Sequence, residues 1–234
     1  MRERPPSLSV LPLEGPSRDT LADRAYQAIR VAIINQELEP GRYYSEAWLA
    51  RVLGVSRTPT HYALLQLEVE GIVEIVAQRG FRLRRIPDSE YNEFYEVRIL
   101  LETNVLHTLA PIADPPLIAA LRDFLDRQRR VLENPIAFQD LDEGFHRFMA
   151  EAAGLARTAS IIHSLRGILW IGTAHRPVRE RASVLAEHTA IVDGLAAGDT
   201  QASVSALVRH LRNSQERRQR AADAVVPSPA LRGT

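Results

Sequence analysis

Only one stretch of this chain looks strand-like, and it is long enough for a single hairpin. Two β-prone runs, Ile72–Val76 and Phe81–Ile86, flank a turn carrying Arg79-Gly80. No strand-like stretch stands out beyond Ile86. An isolated hairpin is marginally stable at best in water, so helices have to supply the core around it.

The helical pattern is well punctuated. Leu21, Ala25, Ile29, Ala32 and Ile33 recur at three- and four-residue steps, and Pro40-Gly41 is expected to end that helix. Ser45 can cap a second helix with Leu49 and Leu53, broken at Gly54. Ser56 can cap a third through Ala63, Leu64 and Leu67, stopped at Gly71; Pro59 is tolerable in its first turn. After Pro87-Asp88 come six helical segments, about 89–110, 115–132, 135–152, 157–174, 178–197 and 200–222. Prolines, glycines and Asn134 separate them.

The predicted fold is mostly α: an N-terminal winged helix-turn-helix, then an all-α antiparallel bundle of about six helices. The expected organisation is a disordered arm at 1–17, the winged helix-turn-helix at 18–86, the helical bundle at 87–222 and a flexible tail at 223–234.

Composition narrows the function. There is no cysteine, which removes disulfides, thiolate metal sites and thiol catalysis. No apolar run approaches the ~18 residues of a membrane helix, and the N-terminus lacks a signal's apolar core. The expectation is a cytoplasmic protein without a membrane partner. Every basic residue is arginine. Residues 1–86 hold 12 arginines against 10 acidic residues, and the remainder holds 17 against 19. The small positive excess in front suits a nucleic-acid reader.

A short helix, a glycine turn, a second helix and a hairpin suit DNA physically. The second helix fits the major groove, with residues near its N-terminus facing base edges. Here those residues are Arg57, Thr58, Thr60 and His61, while Arg79, Arg82, Arg84 and Arg85 crowd the wing. The segment LEPGRYYSEAWLARVLGVSRTPTHYALLQLEVEGIVEIVAQRGFRLRRI resembles the DNA-binding domain of the GntR family of bacterial transcription regulators. The resemblance covers about residues 18–86, and Arg57 and Arg79-Gly80 match it. Family members usually carry Arg-Glu where this chain has His61-Tyr62, so a DNA-contacting arginine falls on histidine.

The back half holds a candidate metal site. Asp142 and His146, four apart, project from one helix face. His188 (in LAEHTAIVDGL) and His210 (in ALVRHLRN) lie on two later helices, so three imidazoles and one carboxylate can meet at a point. That set suits one divalent Zn, Ni, Mn or Fe ion per chain. His107, His163 and His175 are assigned ordinary packing or surface roles.

YEVRILLE, the Asp142–His146 pair, Glu187-His188 and the late Arg209-His210 resemble the FCD effector domain that follows the winged helix in a large GntR subfamily. That resemblance covers about residues 90–220. It implies a buried metal on Asp142, His146, His188 and His210 that helps bind a small organic acid, with Arg98 clamping the carboxylate. The competing reading of Arg98 is an ion pair with Glu102 on an exposed helix face, and Glu102 is read as structural. Where the family often has Gly-Asn, this chain has Gly154-Leu155.

The expected function is a homodimeric regulator, a repressor, binding a palindromic double-stranded operator. Two alternatives stand beside it: a metal-responsive regulator, and a metal-dependent hydrolase fused to a DNA-binding module. For the hydrolase no base is obvious, since Glu143 points about 100° from Asp142 on an ideal helix.

Overall fold

The computed structural model describes residues 19–169 and 177–225. The expected N-terminal arm, most of the expected tail and His175 lie outside the described residues. The described residues form nine α-helices and three strands, in two compact units. One unit comprises residues 19–87 with 164–169; the other comprises 88–163 with 177–225.

In the first unit, α1 (Leu21–Ile34) begins at a capping box that sequence reading did not single out. Asp23 N–H donates to Thr20 Oγ1, and Thr20 N–H donates to Asp23 Oδ2, each at 3.1 Å. The helix buries Ala25, Ile29, Ala32 and Ile33 but stops at Ile34, well short of Pro40-Gly41. The next position on its buried face is Gln36, which stays exposed in a left-handed conformation, while Leu38 turns back into the core.

Helix α2 (Glu46–Leu53) is capped as expected, with Trp48 N–H donating to Ser45 Oγ at 3.0 Å. Gly54, at φ 68°, turns the chain into α3 (Arg57–Val69). Ser56 occupies the cap position of α3 without the expected side-chain bond; instead Thr60 Oγ1 donates to the Ser56 carbonyl at 3.0 Å. The buried Tyr26 hydroxyl reaches both Glu70 carboxylate oxygens, at 2.8 and 2.9 Å, tying α1 to the end of α3.

The hairpin is β2 (Val73–Val76) and β3 (Gly80–Leu83). A short strand, β1 (Tyr43–Tyr44), pairs antiparallel on the other side of β3, giving the order β1-β3-β2. Two residues carry no alternation to read, so β1 was invisible in the sequence. Gly80 has φ 96°, and a Cβ there would sit 2.1 Å from the Tyr44 carbonyl oxygen. The β1–β3 approach therefore requires glycine.

The second unit contains α4 (Asp88–Leu109), α5 (Pro115–Arg130), α6 (Pro135–Ala152), most of α7 (Ala156–Leu169), α8 (Val178–Ala196) and α9 (Thr200–Val225). Asp114 and Asn134 cap α5 and α6, each followed by proline in the first turn. Leu106, Leu121, Phe145, Ile162, Ile191 and Leu207 meet in one continuous core. Gly194 lets α8 touch α9, since a Cβ there would lie 2.6 Å from Ser203 N. This packing brings the inner faces of α6, α8 and α9 to one place. Among the described residues, no helix is long and apolar enough to cross a membrane.

Candidate functional site

Asp142 and His146 lie one turn apart on α6, His188 is mid-way along α8, and His210 is on α9. One ligand atom from each of the four falls within 4.8 Å of all the others. The three imidazoles are buried and Asp142 is half-buried. Ring centroids are 5.2 Å apart for His146–His188, 5.3 Å for His146–His210 and 4.6 Å for His188–His210. Phe145 stacks on His188 at 4.6 Å and walls that side of the cluster.

Each imidazole is held from behind through Nδ1. His146 Nδ1 lies 2.5 Å from Glu102 Oε2, His188 Nδ1 3.0 Å from Gln128 Oε1, and His210 Nδ1 2.8 Å from Glu187 Oε2. An Nδ1–H donated to these oxygens leaves the Nε2 lone pair facing inward. His146 Nε2 is buried without a hydrogen-bond partner, and His188 Nε2 is 3.2 Å from Asp142 Oδ1. Burial pushes the His210 pKa well below its ordinary 6.5, reinforced by His188, His146 and Arg98 nearby. The imidazole is therefore neutral, as a metal ligand must be. The residues fit a divalent transition metal: three nitrogens and one carboxylate, no thiolate, and a buried nitrogen with nothing to bond.

Arg98 forms the ion pair with Glu102 weighed in the sequence reading, but not on an exposed face. Its Nε donates to Glu102 Oε1 at 2.8 Å, and the two residues are 4% and 2% exposed. Arg98 Nη2 is buried and unpartnered. Glu102 joins this arginine to His146, a larger part than the structural one first assigned. Sequence reading also missed Gln128 and Glu187. Glu187 adjoins His188 in sequence, a usable signal; it also accepts from Asn213 at 2.8 Å and twice from Arg217 at 2.9 Å. Gln128 carries no local signal. Glu143, considered as a hydrolytic base, is buried and pairs with His163 on α7.

In the first unit the outer face of α3 presents Arg57, Thr58 and His61. Thr60, expected beside them, is fully buried with its hydroxyl bonded to Ser56, so it is withdrawn from that surface. Its position on the helix turns it to the face of Ala63, Leu64 and Leu67. His61 Nδ1 lies 3.1 Å from a Glu46 carboxylate oxygen. On the wing, Arg79 is exposed and its guanidinium lies 5.3 Å from the Tyr43 ring centroid. Gly80 serves the strand approach described above. Arg82 is paired with Glu74 at 2.7 Å, Arg84 donates to the Gly71 carbonyl and Arg85 to the Pro40 carbonyl, around an open cleft of about 400 Å³.

Residues 21–83 match the bacterial regulatory proteins of the gntR family, and residues 93–213 match the FCD domain. The chain belongs to the GntR family. A curated HTH-type transcriptional regulator from Streptomyces ambofaciens is 31% identical over 80% of each chain. Another, from Agrobacterium vitis, is 34% identical over 65% of this chain and 92% of its own. The structure of E. coli McbR/YncC is 17% identical, covers 87% of this chain and 99% of its own, and superposes with a TM-score of 0.73, a likeness of fold. This GntR-family protein is thus a transcriptional regulator with a helix-turn-helix DNA-binding domain, not an enzyme.

Proposed function

We propose that this GntR-family protein is a homodimeric repressor whose grip on a palindromic operator is released by a small organic acid. Two-fold protein symmetry calls for two-fold symmetry in the DNA. The acid would bind beside one divalent transition metal per chain, held by Asp142, His146, His188 and His210. The observation that carries this reading is the convergence of those four side chains, each imidazole backed by its own acceptor.

A bound metal supplies Lewis acidity with coordination positions beyond the four protein ligands, which a carboxylate can occupy. Arg98 supplies the second charge. Its buried, unpartnered Nη2 supports an organic anion over the metal alone as the signal. Arg98 sits on α4, eleven residues beyond Pro87, so an anion drawn to it acts on the helix that leaves the DNA-binding unit. Release from DNA requires the acid to bind one arrangement of the dimer more tightly than the other.

The test has two parts. Elemental analysis should find about one transition-metal ion per chain in the wild type and none in a His146→Ala, His188→Ala double variant. Arg98→Ala should keep metal and operator binding yet hold DNA at acid concentrations that release the wild type. Full occupancy in the double variant defeats the metal site; wild-type release by Arg98→Ala defeats the clamp.

A further inference from the structure

Helix α3 is amphipathic in an unusual sense. Its inner face, Ala63, Leu64 and Leu67, packs into the first unit. Its outer face should be polar if it met only water or the hydrogen-bonding groups of base edges. Yet Tyr62 is 61% exposed, Leu65 36% and Val69 87%. Spaced three and four apart, they form one outward apolar stripe. The stripe runs on from Thr58 and His61 one turn earlier, the surface argued above to read DNA. The imidazole of His61 is engaged by Glu46 at 3.1 Å, which leaves Arg57 as the fixed cation at this end of α3.

Major-groove base edges offer hydrogen-bond donors and acceptors and only one apolar group, the C5-methyl of thymine. An apolar side chain lowered into that groove gains nothing from a polar edge and gains contact from a methyl. We infer that Tyr62, with Leu65 one turn on, reads thymine C5-methyl groups in the operator. Position decides which members of the stripe take part. Residues near the N-terminus of a groove-reading helix contact the base edges, and at 1.5 Å per residue Tyr62 and Leu65 lie about 7 and 12 Å along the axis from Arg57, whereas Val69 lies about 18 Å away, toward the other end. The chain therefore specifies an A·T pair at the Tyr62 position of each half-site. This assignment rests on α3 being the groove-reading helix.

The experiment selects operators from a random duplex pool with the full-length protein. It then replaces each thymine singly by deoxyuridine, which removes the methyl alone, and measures binding by fluorescence anisotropy. Wild type should lose about fourfold in affinity at one thymine per half-site, the worth of one buried methyl-sized group. Tyr62→Ala should bind thymine and uracil equally there, while Tyr62→Phe keeps the discrimination. Both positions are solvent-exposed enough that melting should stay unchanged, which circular dichroism checks. Wild type indifferent to uracil throughout, or Tyr62→Ala retaining the discrimination, would overturn the assignment. If Arg57→Ala still weakens binding in that case, the α3 interface stands and only the thymine reading falls. A pool with no enriched sequence removes both. Dimer dissociation in Tyr62→Ala, with methyl discrimination intact, would give the stripe to a second copy of the chain instead.

Discussion

Glu102 is the carboxylate that joins Arg98 to His146, and its removal has a calculable cost. It accepts from Arg98 Nε at 2.8 Å and from His146 Nδ1 at 2.5 Å, with both it and Arg98 almost completely buried. Glu102→Leu leaves a buried guanidinium whose Nη2 already lacks a partner. Breaking one side of a buried ion pair in this way costs about 3–5 kcal/mol. Arg98→Leu takes away the cation paired with this buried carboxylate and should cost a similar amount. The double Leu variant removes both charges and takes the acceptor from the His146 Nδ1–H, a loss of about 1–3 kcal/mol. The double variant should therefore be more stable than either single one. The assay is urea unfolding of chelator-treated protein, followed by circular dichroism, for all four members of the cycle. In the metal-loaded protein, Glu102→Leu should also weaken the ion about 10–100-fold, because His146 loses the acceptor that aims it. A Glu102→Leu protein within about 1 kcal/mol of wild type, or a double variant as unstable as the two losses summed, would refute the reasoning.

Three further outcomes are expected. Gly80→Ala forces a left-handed residue and a 2.1 Å contact with the Tyr44 carbonyl, so full-length protein should melt earlier by at least the ~1–2 kcal/mol of the conformational term and lose operator binding; an unchanged melt defeats the argument. His210 is held neutral in the fold, so below the ordinary 6.5 the unfolded chain takes up a proton that the folded chain refuses. Stability of the metal-free protein should then fall with decreasing pH, by up to about 1.4 kcal/mol per unit from this group, and His210→Asn should flatten that slope. Arg57→Ala should weaken operator binding by about 1–3 kcal/mol at one base position if it grips a base, or evenly with a shallower salt dependence if it grips phosphate; unchanged gel-shift titration removes it from the interface.

The sequence by itself determined the fold class and where its helices lie. Local rules suffice for that: periodic apolar residues, Asp114 and Asn134 before proline, glycines at left-handed turns, and one alternating stretch for the hairpin. Departures arose where a local signal was overruled or absent. Helix α1 ended at Ile34, before Pro40, with Gln36 left-handed just beyond it, and β1 was too short to alternate. Thr60 sat among plausible DNA contacts in the sequence, but helix rotation against Ala63 and Leu64 buried it. The candidate metal residues could be nominated from Asp142 and His146 at i, i+4, because one helix fixes that pair. Only the tertiary structure decided that His188 and His210 meet them, since the distance between helices depends on packing such as Gly194 against Ser203. It alone found Gln128 and Glu187 behind the imidazoles and turned the Arg98–Glu102 pair inward. A spacing of four residues says that two side chains can touch. Whether water or protein surrounds them, and hence how strongly charge acts between them, is set by the helices packed on top.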